Sequence, residues 1–208
     1  MNKKYKCVIF DIDGTILNTE RMNIIPLMRL IKEEKGIDMT YEELLFSTSH
    51  PGRKTLELLN FEDIESSYSK WVSYINSFEE GAEMYPGMDK VIEELHKKGI
   101  ICGIVSSKTI SQYEIDFIPT GIDKFIKTKV LADDTLNHKP HPEPLLTILK
   151  NLSIKAEECI YIGDTLSDFH CSQAAHMAFG LALWGARNTK DINADFIFEK
   201  PEDILNLL

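Results

Sequence analysis

The chain has 208 residues, 43% hydrophobic and 27% charged, which suits one globular domain or one domain with a modest insertion. Its 33 acidic and 23 basic residues leave a formal net charge of −10, which argues against a nucleic-acid or anionic-membrane partner. No apolar run reaches the roughly 20 residues that span a bilayer, and the N-terminal one is too short for a signal peptide. Four scattered cysteines favour free thiols in a reducing cytoplasm.

In chain order, the first predicted strand is Tyr5 to Phe10. Residues 17–82 then show helical periodicity throughout and no convincing strand, and a linker containing glycine and proline follows at residues 79–87. After it, apolar strands again alternate with helical patterns. The further predicted strands are Ile100 to Ser106, Phe125 to Val130, Cys159 to Gly163, Met177 to Leu183 and Phe196 to Phe198.

Alternating apolar strands and helices are typical of a doubly wound α/β domain with a parallel sheet. The helical stretch interrupts this pattern directly after the first strand. We therefore predict an α/β core over residues 1–16 and 83–208, and an inserted all-helical domain over residues 17–82.

The segment VIFDIDGT places two carboxylates after the first strand. Asp11 and Asp13 project to the same side of an extended chain, at the carboxyl end of a strand, where open α/β sheets bind their ligands. Gly14 then allows a sharp turn. Two close carboxylates repel each other, so a divalent metal between them is expected. A polar strand end with an ordinary Asp-Gly turn is the alternative.

Three further polar sites follow predicted strands, and each has a structural alternative. Ser106 ends the second strand and could instead cap the next helix before Thr109. Lys139 stands among prolines that could present its ammonium to a phosphate, although a solvated surface lysine is the alternative. Asp164 and Asp168 follow a strand at the start of a helix, which Asp164 could simply cap.

Taken in order, these four segments resemble the four motifs of the haloacid dehalogenase superfamily of phosphatases, and the resemblance covers essentially the whole chain. It implies a Rossmann-like core with a cap. The helical insertion is similar to the cap of the phosphoglycolate phosphatase and β-phosphoglucomutase branch. The expected partner is a small phosphorylated metabolite, and we expect a cytoplasmic monomer or homodimer.

The resemblance also implies a role for each motif residue. Asp11 would be the nucleophile that forms an aspartyl-phosphate, and Asp13 the general acid and base. Mg²⁺ would be held by the carboxylates of Asp11 and Asp164 and by the backbone carbonyl of Asp13, with Asp168 supporting the ligands. Phosphate and substrate contacts are implied for Gly14, Thr15, Ser106, Ser107, Lys139 and, in the cap, Arg53.

Other branches of the superfamily fit less well. Dehalogenases and phosphonatases lack the second aspartate that stands here as Asp13, so we interpret Lys54 as an ordinary helix-start or substrate-loop lysine and not as a Schiff base. Phosphomutases of the family tend to carry valine where this chain has Thr15, which favours a phosphatase. The mutase remains the alternative, and a catalytically silent scaffold is a third, disfavoured by the intact motifs. Arg53 and Lys54 could also belong to a solvated loop without a ligand.

Overall fold

The computed structural model describes residues 5–208, apart from the side chain of Ser49. The chain divides into two compact units. The first comprises the described residues up to Asn18 together with Glu83–Leu208, and the second is Thr19–Ala82. Over the described residues, none of the helices combines the length and the apolar character that crossing a membrane would require.

The first unit is built on strands that belong to two sheets. A parallel six-stranded sheet has the spatial order β5-β4-β1-β6-β7-β8, and an antiparallel pair joins β2 to β3. In chain order the strands are β1 (Cys7–Phe10), β2 (Leu17–Asn18), β3 (Glu83–Met84), β4 (Ile101–Val105), β5 (Ile126–Val130), β6 (Cys159–Gly163), β7 (Ala178–Ala182) and β8 (Phe196–Phe198).

The central strand β1 is buried along its whole length, as is β6 beside it. Strands covered on both faces are typical of parallel sheets with helices on either side, which explains their unbroken apolar sequences. Phe10 lies opposite Ile104 of β4 and Ile162 of β6. The carboxyl ends of these three strands therefore lie side by side, and the predicted α/β class is confirmed.

The helices of the second unit come first in the chain, followed by those of the first unit. The second unit contains α1 (Glu20–Lys35), α2 (Tyr41–Leu44), α3 (Gly52–Leu58) and α4 (Ile64–Asn76). The first unit contains α5 (Met88–Lys97), α6 (Ile110–Asp116), α7 (Glu143–Leu152) and α8 (Leu166–Ala174). Short 3₁₀ helices lie at Leu45–Ser49, Ile118–Thr120, Asp123–Phe125, Ala132–Asp134, Ala156–Glu158 and Pro201–Leu207.

The helical unit has its own apolar core. Leu27 and Leu30 of α1 are fully buried, and Leu56 of α3 and Trp71 of α4 belong to the same cluster. The indole Nε1 of Trp71 donates to the carbonyl of Asn23 at 3.0 Å, which satisfies the polar end of a buried aromatic side chain. Trp71 is therefore a packing residue of this unit.

Leu17 and Asn18 differ from the sequence prediction, which assigns them to the helical excursion. They form β2 and pair with Met84 and Glu83 of β3. A two-residue strand is too short to show the alternation that identifies strands in a sequence. The pairing places Asn18, where the chain leaves the first unit, beside Glu83, where the chain re-enters it.

Candidate active site

Asp11 directly follows β1 and begins the site. Its amide donates to the carbonyl of Ile162 in β6 at 2.9 Å, so the backbone still follows the sheet there. The residue is only 5% exposed. Its Oδ1 is buried, and the ammonium of Lys139 lies 3.0 Å from it. A buried carboxylate needs such a partner, because burial disfavours its charged form.

Gly14 forms the turn after the two aspartates. Its φ of +76° is a conformation that glycine adopts without strain, and a Cβ there would lie 2.2 Å from Oδ2 of Asp164. The neighbouring Thr15 is buried, and its hydroxyl donates to Oδ1 of Asp164 at 3.3 Å. The turn therefore brings Gly14 and Thr15, which follow β1, into contact with Asp164, which follows β6.

The loop after β7 packs on the same turn. Trp184 donates from its indole Nε1 to the carbonyl of Thr15 at 3.0 Å. A Cβ at Gly185 would lie 1.7 Å from the carbonyl oxygen of Gly14, so only glycine fits there. The loop after β7 therefore contacts the backbone of the turn directly.

Lys139 lies at the centre of the site. Its side chain is 7% exposed, and its Nζ lies 3.0 Å from Oδ1 of Asp11 and 2.6 Å from Oδ1 of Asp168. It also donates to the hydroxyl of Tyr161 at 3.2 Å. The alternative of a solvated surface lysine is therefore wrong. Burial lowers the pKa of Lys139, but the two carboxylates outweigh it, so the pKa lies above its usual value and the ammonium stays charged.

Asp164 and Asp168 follow β6. The cap of α8 is Thr165, whose hydroxyl accepts from the amide of Asp168 at 3.2 Å, while the Asp168 carboxylate accepts from the amide of Thr165 at 3.0 Å. The alternative that Asp164 caps this helix is therefore wrong. Asp164 is 9% exposed and faces Thr15 instead.

Asp168 is fully buried and bonded at both oxygens. Oδ2 accepts from Thr165, and Oδ1 accepts from Lys139 and from the hydroxyl of Tyr161 at 3.0 Å. The Tyr161 hydroxyl also lies within donor distance of the carbonyl oxygen of Val105, at 3.1 Å. Sequence reasoning missed Tyr161 because an aromatic residue inside an apolar strand gives no signal other than packing.

Ligand oxygens of Asp11, Asp164 and Asp168 lie within 4.8 Å of one another. Burial raises the pKa of Asp11 to about 7, with Asp168 and Asp13 adding to the rise and Lys139 opposing it. Burial and then the charges of Asp168 and Asp11 raise the pKa of Asp164 well above its usual range. Burial would also raise that of Asp168, but Lys139 and Thr165 hold it below the usual value. Three acidic side chains thus face one ammonium, and oxygen ligands of this kind fit a hard divalent cation, which would favour their ionised forms.

Ser106 follows β4, beside Asp11 in the sheet. It is 5% exposed, and its amide donates to the carbonyl of Val130 at 3.1 Å. The cap of α6 is Thr109, which accepts from the amide of Gln112, so the alternative of Ser106 as a helix cap is wrong. Ser107 is exposed.

Lys108 is a site residue that the sequence analysis missed. Its side chain is 7% exposed, and its Nζ lies 3.1 Å from Oδ1 of Asp13 and 2.5 Å from Oδ2 of Asp116. Burial lowers the pKa of Lys108, but Asp13 and Asp116 raise it further, so the ammonium stays charged. A lysine in a polar segment before a helix cap is normally solvated, so nothing in the sequence indicates that Lys108 belongs to the site. Its burial depends on Asp116, which lies eight residues further along the chain.

Arg53 and Lys54 lie in α3 of the helical unit. The guanidinium of Arg53 makes a bidentate ion pair with the carboxylate of Glu65, with N···O distances of 2.7 and 2.9 Å. It also lies 4.2 Å from the ring centroid of Tyr68. Lys54 pairs with Glu57 at 2.9 Å. Both charges thus have partners within their own unit. A substrate contact of Arg53 stays a prediction.

Comparison with known proteins settles the family. Residues 8–182 match the family of haloacid dehalogenase-like hydrolases. The chain belongs to this family. Among curated relatives of this hydrolase, pyrophosphatase PpaX of Anoxybacillus flavithermus is 27% identical over 205 residues, covering 97% of this chain and 95% of the relative. PpaX of Bacillus cereus (strain Q1) is 28% identical over 211 residues, covering 99% and 97%.

Solved structures agree with this assignment. A candidate phosphoglycolate phosphatase from Lactobacillus plantarum has a TM-score of 0.91 and 27% identity, covering 99% of this chain and all of its own. A candidate β-phosphoglucomutase from Thermotoga maritima has a TM-score of 0.76 and 23% identity, with 97% of each chain covered, and shows the fold alone. The predicted family and the expected class of enzyme, a phosphatase of this family, are confirmed.

Proposed function

We propose that this haloacid dehalogenase-like hydrolase is a Mg²⁺-dependent enzyme that cleaves a small phosphomonoester through an aspartyl-phosphate on Asp11. The observation that carries the proposal is the position of Lys139, whose buried ammonium lies between Asp11 and Asp168. Asp164 lies in the same cluster. A buried carboxylate that is oriented by a neighbouring ammonium is suited to attack phosphorus.

The proposed reaction has two steps. A carboxylate oxygen of Asp11 attacks the phosphorus in line, and the bond to the leaving oxygen breaks while Asp13 gives that oxygen a proton. Asp13 then takes a proton from a water molecule, which attacks the acyl phosphate and releases Asp11. Lys139 and Ser106 bind non-bridging phosphate oxygens, and the turn at Gly14 and Thr15 completes the phosphate contacts.

The residues fit a bound Mg²⁺. The carboxylates of Asp11 and Asp164 and the backbone carbonyl of Asp13 would hold it, because all three offer the oxygen ligands that this ion prefers. The ion supplies positive charge that lowers the repulsion between a phosphate and the carboxylates. Asp168 has both oxygens bonded to protein groups, which supports its proposed role in holding Lys139 and not the metal.

Two substrates are compared as candidates. Phosphoglycolate is the named model for a small phosphomonoester with a second anionic group. Pyrophosphate, which is a phosphoanhydride and not an ester, is the second candidate, because the curated relatives named pyrophosphatase PpaX match nearly the whole chain. Steady-state kcat/KM values for both, beside an aryl phosphate, decide between them. Formation of an isomerised sugar phosphate without phosphate release would instead support the mutase. The cytoplasmic location and the monomeric or homodimeric state stay predictions.

The nucleophile and the acid-base residue are separated by rapid-quench labelling with a radioactive phosphate ester. Asp11→Asn should remove labelling and lower turnover by a factor on the order of 10⁴ or more, because an amide cannot form the acyl phosphate. Asp13→Asn should still be labelled by an ester with a good leaving group, but should lose its label slowly. Labelling of Asp11→Asn, or equal burst and steady-state rates in Asp13→Asn, would contradict the two-step reaction.

A further inference from the structure

Lys108 is buried, charged and not used by the proposed mechanism. Its Nζ lies between the carboxylates of Asp13 and Asp116. The side chains of Lys108 and Asp116 are 7% and 4% exposed, so water does little to solvate either charge. A buried ammonium and a buried carboxylate require each other as partners, which fixes the position of the Lys108 ammonium independently of Asp13.

The backbone of Lys108 is also held. Its amide donates to the hydroxyl of Ser106 at 3.3 Å, and its carbonyl accepts from the amide of Ala132 at 2.9 Å. The stem of the side chain therefore starts from a fixed point, and Asp116 fixes its end. Asp13 is the most exposed of the three side chains, at 37%, so it is the one that burial constrains least.

We infer that Lys108 is a positioning residue for Asp13, which it holds in the orientation for proton transfer to the leaving group. This inference rests on the proposed function. The Oδ1 of Asp13 is buried and faces Lys108, whereas the side chain as a whole keeps 37% of its surface exposed. The other oxygen, Oδ2, is therefore the one that carries the proton and passes it to the leaving oxygen.

Asp11 and Asp13 are thus each paired with a different buried lysine. Lys139 contacts the nucleophile Asp11, and Lys108 contacts the acid-base residue Asp13. Without Lys108, Asp13 could rotate into solvent, and the proton would be misplaced in most molecules. The loss should be largest for substrates whose leaving group needs a proton, because a stable phenolate leaves without one.

Lys108→Met tests this with two substrates, phenyl phosphate and p-nitrophenyl phosphate. Phenyl phosphate has the poorer leaving group and should lose at least ~10-fold more in kcat/KM than p-nitrophenyl phosphate, within the range that general acid catalysis contributes. The quantity compared is kcat/KM because it reports the step that breaks the bond to the leaving group, whereas the second step is the same for both substrates. Lys108→Arg keeps the charge and should restore most of the ratio. The exposed lysine control, Lys150→Met, should leave both rates at the wild-type level.

Equal losses of kcat/KM on the two substrates, or unchanged values, would overturn the inference, because a merely structural role lowers both in proportion to folded enzyme. Should Lys108→Met not fold, as judged by circular dichroism, Asp116→Asn releases the anchor and should shift the ratio in the same direction. An unchanged ratio in a folded Asp116→Asn would then overturn it. A wild-type enzyme that is inactive on both esters would mean that the proposed function fails, which is distinct from failure of Lys108 alone.

Discussion

At the scale of single residues, charge is unevenly compensated in the site. One ammonium, that of Lys139, is shared by Asp11 and Asp168. Asp164 accepts a hydrogen bond from the hydroxyl of Thr15, and among the residues that the structure describes it forms no ion pair. Burial is the largest cause that raises the pKa of both Asp11 and Asp164, so both carboxylates resist ionisation in the absence of a cation.

This imbalance predicts a pH-dependent stabilisation by Mg²⁺. The pKa of Asp11 is raised to about 7, so the stability contributed by its protonated form is complete below the unfolded pKa of about 4 and is lost as pH rises through 7. Asp164 acts in the same direction. Asp168 has a lowered pKa, and its contribution is already complete by pH 5.5. The increase in Tm on adding Mg²⁺ should therefore be larger at pH 8 than at pH 5.5.

Differential scanning calorimetry with and without Mg²⁺ measures this difference. Asp164→Asn should lose most of the Mg²⁺-dependent rise in Tm at pH 8, because a ligand is removed. Glu114→Gln, which changes an exposed acid elsewhere in the first unit, should keep it. A rise in Tm that is as large at pH 5.5 as at pH 8 would contradict the assignment of the cluster as the metal site.

At the scale of elements, the backbone conformation of the turn after β1 affects the proposed metal ligand Asp164. Gly14 and Gly121 have nearly the same φ, +76° and +74°, but a Cβ at Gly14 would meet Asp164, whereas a Cβ at Gly121 would meet no atom within 4 Å. Alanine at either position should cost about 1 kcal/mol of stability from backbone strain. Gly14→Ala alone should also weaken Mg²⁺ binding and lower activity at least ~10²-fold, the scale of losing a preorganised contact.

Chemical unfolding gives the stability of the two variants, and a Mg²⁺ titration of activity gives the apparent metal affinity. Gly121→Ala serves as the control for strain without contact. If the two variants lose activity to the same extent, the turn acts through stability alone and not through Asp164.

The sequence identifies the main elements because their patterns are strong. The strands predicted at Cys159 to Gly163 and Phe196 to Phe198 are observed with the same bounds, and the other four sheet strands lie within their predicted ranges. Unbroken apolar runs bounded by polar residues predict both the presence and the approximate ends of these strands. β2 and β3 are not predictable, since two residues show no period. Their pairing depends on residues that are distant in sequence.

The site was predictable only where motif residues follow strands. Asp11, Lys139, Asp164 and Asp168 are brought together as expected from strand ends that share one edge of a sheet. Lys108 and Tyr161 were not predictable, because their roles depend on contacts with Asp116 and Asp168 that only the packed structure creates. A residue type alone does not distinguish a buried lysine from a solvated one.

At the scale of the whole molecule, the proposed catalytic residues all belong to the first unit, and the helical unit has a separate apolar core. Replacing residues 19–82 with a short Gly-Ser linker should therefore leave the first unit folded, since β2 and β3 keep the linker ends adjacent. We expect phosphate release from p-nitrophenyl phosphate to persist, and discrimination among natural phosphate esters to be lost.

The measurements are circular dichroism and kcat/KM for phosphoglycolate, pyrophosphate and p-nitrophenyl phosphate. Arg53→Ala in the full chain is the matched variant, because it alters one charged residue of the helical unit without removing the unit. A shortened chain that folds and keeps the substrate preference of the full chain would show that selectivity resides in the first unit.

The position of β1 has a consequence for how the protein is made. β1 is synthesised first, but its neighbours β4 and β6 begin about 90 and 150 residues later, which at ribosomal rates is roughly 5 to 30 seconds. The helical unit is continuous in sequence and is completed within that interval. The nascent chain therefore holds an unpaired apolar strand while a complete helical body emerges behind it. Assembly of the sheet around β1, and with it the contact of Asp11 with Lys139 and Asp164, therefore has to wait until β6 and the residues that follow it have been synthesised.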